Sequence, residues 1–222
     1  MDDRFFDWGY AWEILPRLGE AFLITVEATL LGTVIALTLG LAWAIARRSR
    51  QRPLALAATW VVEFVRSTPL LVQLYFLFYV LPSAGLTLSP LTTGAIGLGL
   101  HYSAYMAEVY RAGIDGVPRQ QWEAALALGF GRWHTWRAII LPQAIPPVVP
   151  ALGNYIIGMF KDTPLLSAIT VLEVLQVAKI LGSQSFRYLE PLTLVGALLL
   201  AVSLLASQLV QKLEKTLAIR SR

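Results

Sequence analysis

The chain is 222 residues long, 56% hydrophobic and only 14% charged, with a mean hydropathy of +0.61. Soluble domains carry about 25% charged residues, so this composition excludes disorder and points away from a water-soluble enzyme toward a membrane protein. The net charge of +4 comes from 14 Arg and 4 Lys against 14 acidic residues. With no basic cluster on a soluble domain, that excess marks orientation in a membrane and not a nucleic-acid partner. Cysteine is absent, and His101 and His134 lie far apart, which removes disulfides, thiol chemistry, Fe–S clusters and His-rich metal cages.

Taken in chain order, residues 1–20 open acidic and aromatic, without the positive n-region of a secretory signal. Trp8, Tyr10 and Trp12 suit an external segment at the membrane interface. A crossing needs roughly 20 mostly apolar residues. Candidates are about 21–46, 59–81, 91–110 and 191–211, plus a tract over 143–175 with a break at 161–164 and an apolar continuation to about 181. Arg47, Arg48, Arg50 and Arg52 follow the first span, whereas 82–90 carries no charge. Arg111, Arg119, Arg132 and Arg137 mark 111–142, and Lys212, Lys215, Arg220 and Arg222 mark the tail. Under the positive-inside rule the N-terminus is external and the arginine-rich loops are cytoplasmic. Counting the interrupted tract as one crossing gives five spans and a cytoplasmic C-terminus. Gly94, Gly97 and Gly99 give the third span a small-residue face suited to close helix approach.

The cytoplasmic loop 111–142 predicts a short helix. Pro118 is compatible with its first turn, residues 121–128 are strong helix formers, and Gly129 with Gly131 supplies a left-handed stop. Ala124 and Ala125 beside Glu123 form a small, flat face suited to a partner's groove. The spacing Glu123-Ala124-Ala125, three residues, Gly129, nine residues, Ile139, one residue, Leu141-Pro142 resembles the EAA loop of binding-protein-dependent ABC importer permeases. The stretches Glu63 to Gln73, His101 to Arg111 and Asn154 to Thr163 look like the polar amino acid branch, of histidine/glutamine type; Gln120 departs from it, standing where that branch usually has glycine. Phe160 to Thr170 and Ser185 to Pro191 look most like permeases for ectoine and hydroxyectoine.

The resemblance implies an all-α integral membrane protein, a single permease domain of the type I importer fold with five transmembrane helices and a cytoplasmic coupling helix. It implies a bacterial inner-membrane location, a second permease subunit (the same or a homologous chain), cytoplasmic ABC ATPase subunits and an external solute-binding protein. The chain lacks a Gly-x-x-x-x-Gly-Lys-[Ser/Thr] loop. ATP and Mg are therefore expected on the ATPase partner, with no cofactor and no enzymatic step in this chain.

Charges inside a bilayer are costly and default to functional candidates. Lys161 and Asp162 interrupt an apolar tract just before Thr163-Pro164, which is expected to break the helix. They either meet a zwitterionic solute or satisfy each other or a neighbouring helix. His101, Tyr105 and Glu108 share one helical face, with Tyr102 adjacent. That face either holds a cation through the aromatic rings or packs ordinarily, with Glu108 paired to Arg111. Glu63 and Arg66, at i and i+3, are expected to pair. Glu27 faces either a partner subunit or the cavity. Trp133, Trp136 and Arg132 read as interface anchors. A stand-alone secondary transporter would leave the EAA loop unexplained and shows no inverted repeat. A lipid-modifying enzyme lacks acidic partners for its histidines.

Overall fold

A computed structural model of the chain describes the backbone of residues 5–220 and the side chains of residues 5–217. Residues 1–4 of the expected external segment, the side chain of Arg220 and Arg222 lie outside the described residues. Among the described residues the chain is helical and contains no strand.

Helix α1 (Trp8–Arg47) starts at Asp7, whose side chain accepts the Tyr10 N–H at 3.1 Å, an N-cap. Its 40 residues extend about 60 Å, twice the ~30 Å hydrocarbon core. Residues 8–20, expected as a separate external segment, are therefore the outer turns of the same helix. Every fourth residue along its inner face is small: Ala28, Gly32, Ala36, Gly40 and Ala44 are all buried. Helix α4 (Pro90–Asp115) answers with Ala95, Gly99, Ser103 and Ala107, also four apart and buried. These two ridges bring the backbones close enough that a Cβ on Gly40 would come within 3.0 Å of the Ser103 carbonyl oxygen, and one on Gly99 within 2.5 Å of Ile35. Packing of this kind holds helices together where lipid supplies no hydrophobic drive.

The expected second span, 59–81, is not one straight helix. Helix α2 (Arg52–Ser67) and the following helical run through α3 (Leu70–Tyr75) to Ala84 meet at 105°. Pro69 lacks an N–H and forces Thr68 into extended backbone (φ −111°, ψ 139°). Gln73 fixes the elbow by donating to the Val65 carbonyl at 2.8 Å and to Thr68 Oγ1 at 2.6 Å. Three helical runs are long and apolar enough to cross a membrane, or four if the bent pair is one span. Helix α4 falls outside that set because glycines, a histidine and tyrosines fill the positions that face its neighbours.

The loop carries helix α5 (Arg119–Ala127), a short α6 (Arg132–Thr135) and a π-turn, which leads into α7 (Leu141–Asp162). The α-helix ends within the expected 161–164: α7 stops at Asp162, and the run changes helix type there instead of unwinding. Pro164 sits in the first turn of a tightened 3₁₀ segment (Thr163–Ile169), where its missing N–H is tolerated. The run ends only at Thr170 (φ 65°). Helix α8 (Val174–Ser185), too short to cross, packs on α1 and α9 (Leu189–Arg220). At that end Arg187 pairs with Glu190, Glu190 accepts the Asp7 N–H at 2.9 Å, and Tyr10 donates to Ser185 Oγ at 2.8 Å. The start of α1 is thereby tied to α8 and α9.

Candidate functional site

Two constellations stand out, at opposite ends of α7. The first is in the loop 111–142. Helix α5 ends in a Schellman motif: the Phe130 N–H reaches the Ala125 carbonyl and the Gly129 N–H reaches the Leu126 carbonyl, both at 3.0 Å. Gly129 supplies the left-handed φ of 71°. Arg119 and Glu123 pair along the exposed face at 2.9 Å. Ala124, Leu126 and Leu128 are also exposed, whereas Ala125 is buried. The inner face of the loop packs Trp122 edge-on against Trp136, with centroids 5.3 Å apart, in a cluster with Ile139, Ile140 and Ala144. Gln143 adds a bond from the base of α7 to Gln121 at 3.3 Å. Ile139 of the motif is therefore part of a clamp between α5 and the base of α7. Leu141 and Pro142 open α7 and are exposed. The clamp ties α5 to a helical run that continues from Arg132 to Ile169.

The second constellation forms where α3, α4 and α7 meet. Tyr102 donates to Asp162 Oδ2 at 2.8 Å. Tyr105 lies 5.7 Å from Tyr155 and 5.2 Å from His101, centroid to centroid. Tyr155 also reaches Tyr102 at 6.4 Å. His101 Nδ1 is 3.2 Å from Gln73 Oε1, so the residue that fixes the elbow also orients the imidazole. Arg66, at the end of α2, holds its guanidinium 5.6 Å from the Tyr105 ring centroid, a cation–π geometry. A cation at one edge and a carboxylate at the other thus flank an aromatic wall. Arg66, Gln73 and Tyr155 were not among the sequence candidates for this cluster. The Tyr155 signal was available, about two turns before Asp162 on the same face, but the other two depend on the elbow.

Of the expected path residues, His101, Tyr102, Tyr105 and Asp162 come together, and the remaining three do not. Glu108 takes Arg47, Arg66 at 3.3 Å and Arg111 at 2.6 Å, which makes it the hub of an ion cluster joining α1, α2 and α4. Glu63 joins through Arg66 at 3.5 Å, the expected pair. Thr163 is buried and donates to the Phe160 carbonyl at 2.7 Å. Lys161 does not pair with Asp162, because successive helical residues point about 100° apart. It lines a separate groove of about 460 Å³ between α7 and α9, with Asn154, Ser203 and Ser207. Glu27 is exposed on the outer side of α1.

Residues 32–218 match the family described as the binding-protein-dependent transport system inner membrane component. A probable amino-acid ABC transporter permease of Sinorhizobium fredii is 46% identical over 202 residues, covering 91% of this chain and 87% of the relative. The glutamine transport system permease of Escherichia coli is 33% identical, covering 96% of this chain and 99% of its own. The L-cystine transport system permease of Bacillus subtilis is 38% identical, covering 77% and 73%. Among solved structures, an amino acid ABC transporter crystallised with histidines superposes with a TM-score of 0.91 at 33% identity, covering 96% of this chain and all of that one.

Proposed function

Because this chain belongs to the family of binding-protein-dependent transport inner membrane components, an integral membrane family of ABC importer permeases, we propose that it is the permease subunit of an ATP-driven importer for a polar amino acid. It works with a second permease copy or homologue, two cytoplasmic ATPases that bind ATP and Mg, and an external solute-binding protein. The bent α2–α3 pair and α4 complete five crossings alongside the three apolar runs, with the N-terminus external and the C-terminus cytoplasmic. ATPase closure displaces α5; the Trp122–Trp136 clamp passes that motion to α7, whose far end carries Asp162.

The observation that carries the solute class is the aromatic wall of Tyr102, Tyr105 and Tyr155 between the Arg66 guanidinium and the Asp162 carboxylate. An α-amino acid has the complementary pair of charges: its carboxylate suits Arg66 and its ammonium suits Asp162 and the tyrosine faces. Ectoine and hydroxyectoine also combine a carboxylate with a cationic centre, yet the relatives named above are described for amino acids, glutamine and cystine. The amino acid reading is therefore preferred over the ectoine one.

The test is co-reconstitution of the permease with its ATPase and binding protein in vesicles loaded with ATP. Labelled glutamine, histidine, arginine, cystine and ectoine are then supplied one at a time. ATP-dependent uptake of a polar amino acid is the expected result. Uptake of ectoine alone would return the narrower assignment, and uptake on an ion gradient without the ATPase would overturn the importer reading.

A further inference from the structure

A cavity of about 980 Å³ opens beside the first constellation, with Trp122 and Trp136 of the clamp in its wall. It lies between the C-terminal end of α1, the start of α2 and the loop that carries α5 and α6. Ile45, Leu54, Leu126, Phe130, Trp133 and Leu141 form most of its apolar wall. Each of these side chains is exposed in the isolated chain, Leu126 at 79% and Trp133 at 76%. Three arginines, Arg48, Arg50 and Arg132, border the same cavity. Arg48 is paired with Asp115. Among the described residues no carboxylate lies within 4 Å of Arg50 or Arg132, so the border holds two uncompensated positive charges.

We propose that this groove is a binding site for an anionic phospholipid of the inner leaflet, with its phosphate on Arg50 and Arg132 and its acyl chains along the apolar wall. Charge complementarity and chemistry select this occupant. Apolar side chains on this scale are not left in water, and a free phosphate ion would satisfy the arginines while leaving that wall uncovered. A zwitterionic lipid would cover the wall while adding no net negative charge beside the arginines. Tryptophan at the border suits the headgroup level of a membrane, and basic pockets between helix ends on the cytoplasmic side suit anionic headgroups. The groove shares Leu126 with α5 and Leu141 with the base of α7, so a bound lipid touches both ends of the coupling clamp. The site rests on the importer reading in one respect, that the arginine-bearing loops face the cytoplasm.

The experiment uses the complete importer, purified in mild detergent from vesicles of phosphatidylcholine with and without phosphatidylglycerol. Native mass spectrometry counts the phosphatidylglycerol retained by the wild type and by the R50Q/R132Q variant. Removing two arginines is expected to weaken retention about 30-fold, at about 1 kcal/mol for each basic residue near an anionic headgroup. ATP-driven uptake by the wild type should rise with phosphatidylglycerol, and that rise should vanish in the variant. Equal retention by the two proteins would overturn the proposal. So would a photo-crosslinker placed at Trp133 that captures the ATPase chain and no lipid. Arginine-dependent retention in a preparation without ATP-driven uptake would uphold the lipid site and count against the importer reading alone.

Discussion

Asp162 is half-buried at the end of α7 and takes its hydrogen bond from Tyr102. A hydrogen bond to a charged group is worth about 1.5–3 kcal/mol, so Tyr102→Phe should lower the kcat/KM of uptake about tenfold to a hundredfold. Asp162→Asn should lower it at least as far, with the amount of protein in the membrane unchanged. Uptake kinetics in vesicles check both; wild-type kinetics in the two variants would reduce the pair to packing. Glu108→Gln tests a different role. It leaves Arg47, Arg66 and Arg111 facing one another, and with partial solvent screening it should cost about 1–2 kcal/mol of stability. The readout is a lower midpoint of thermal unfolding in detergent. At this scale the sequence was half legible. The His101, Tyr102, Tyr105 face follows from helical spacing alone, and Asp162 stands out as a charge in an apolar tract. The division of Lys161 from Asp162 and the entry of Arg66 and Gln73 depend on which neighbours surround each helix, information that no local spacing holds.

Helix α5 was legible almost to the residue, because its stop signal is a backbone requirement written in one glycine. Gly129→Val places a β-branched side chain at φ 71° and should cost about 1–2 kcal/mol, unwinding the Schellman turn and lowering uptake. Glu123→Lys keeps the backbone but reverses the charge of the proposed docking face and breaks the Arg119 pair. Transport should fall to background, and hydrolysis by the ATPase should no longer respond to loaded binding protein. Membrane insertion, followed by the amount of chain in the membrane fraction, should remain normal. The elbow at Pro69 was less visible. A proline between two apolar runs permits either a kinked span or a turn, and only the Gln73 bonds across it set the 105° angle. The stripe from Ala28 to Ala44 was also passed over, since alanine and glycine read as unremarkable in an apolar helix until a second stripe is laid against them.

For the whole molecule, the absence of cysteine allows the orientation to be tested without background. Thr87→Cys, in the uncharged loop before α4, should react with a membrane-impermeant maleimide on intact cells. Ser49→Cys, beside the arginines after α1, should react only after the membrane is opened. The opposite pattern would invert the topology. The apolar tracts were readable in outline from the sequence, whereas the length of α1 and the 3₁₀ continuation of α7 past Pro164 follow from packing.

Helix α4 has a consequence for how the chain is made. It is the most enclosed of the long helices and yet is not apolar enough to qualify as a span by itself. Gly99 is matched to α1, whereas Gly113 meets Val148 of α7 and Tyr102 and Tyr105 face Tyr155 of α7. During synthesis α4 emerges after α1 and before α7, so it must settle against a helix already in the bilayer and wait for the other. The order of insertion is thus written into the contacts of the finished protein. A chain deprived of α1 should leave α4 outside the membrane, as a glycine-rich helix without a lipid-compatible surface.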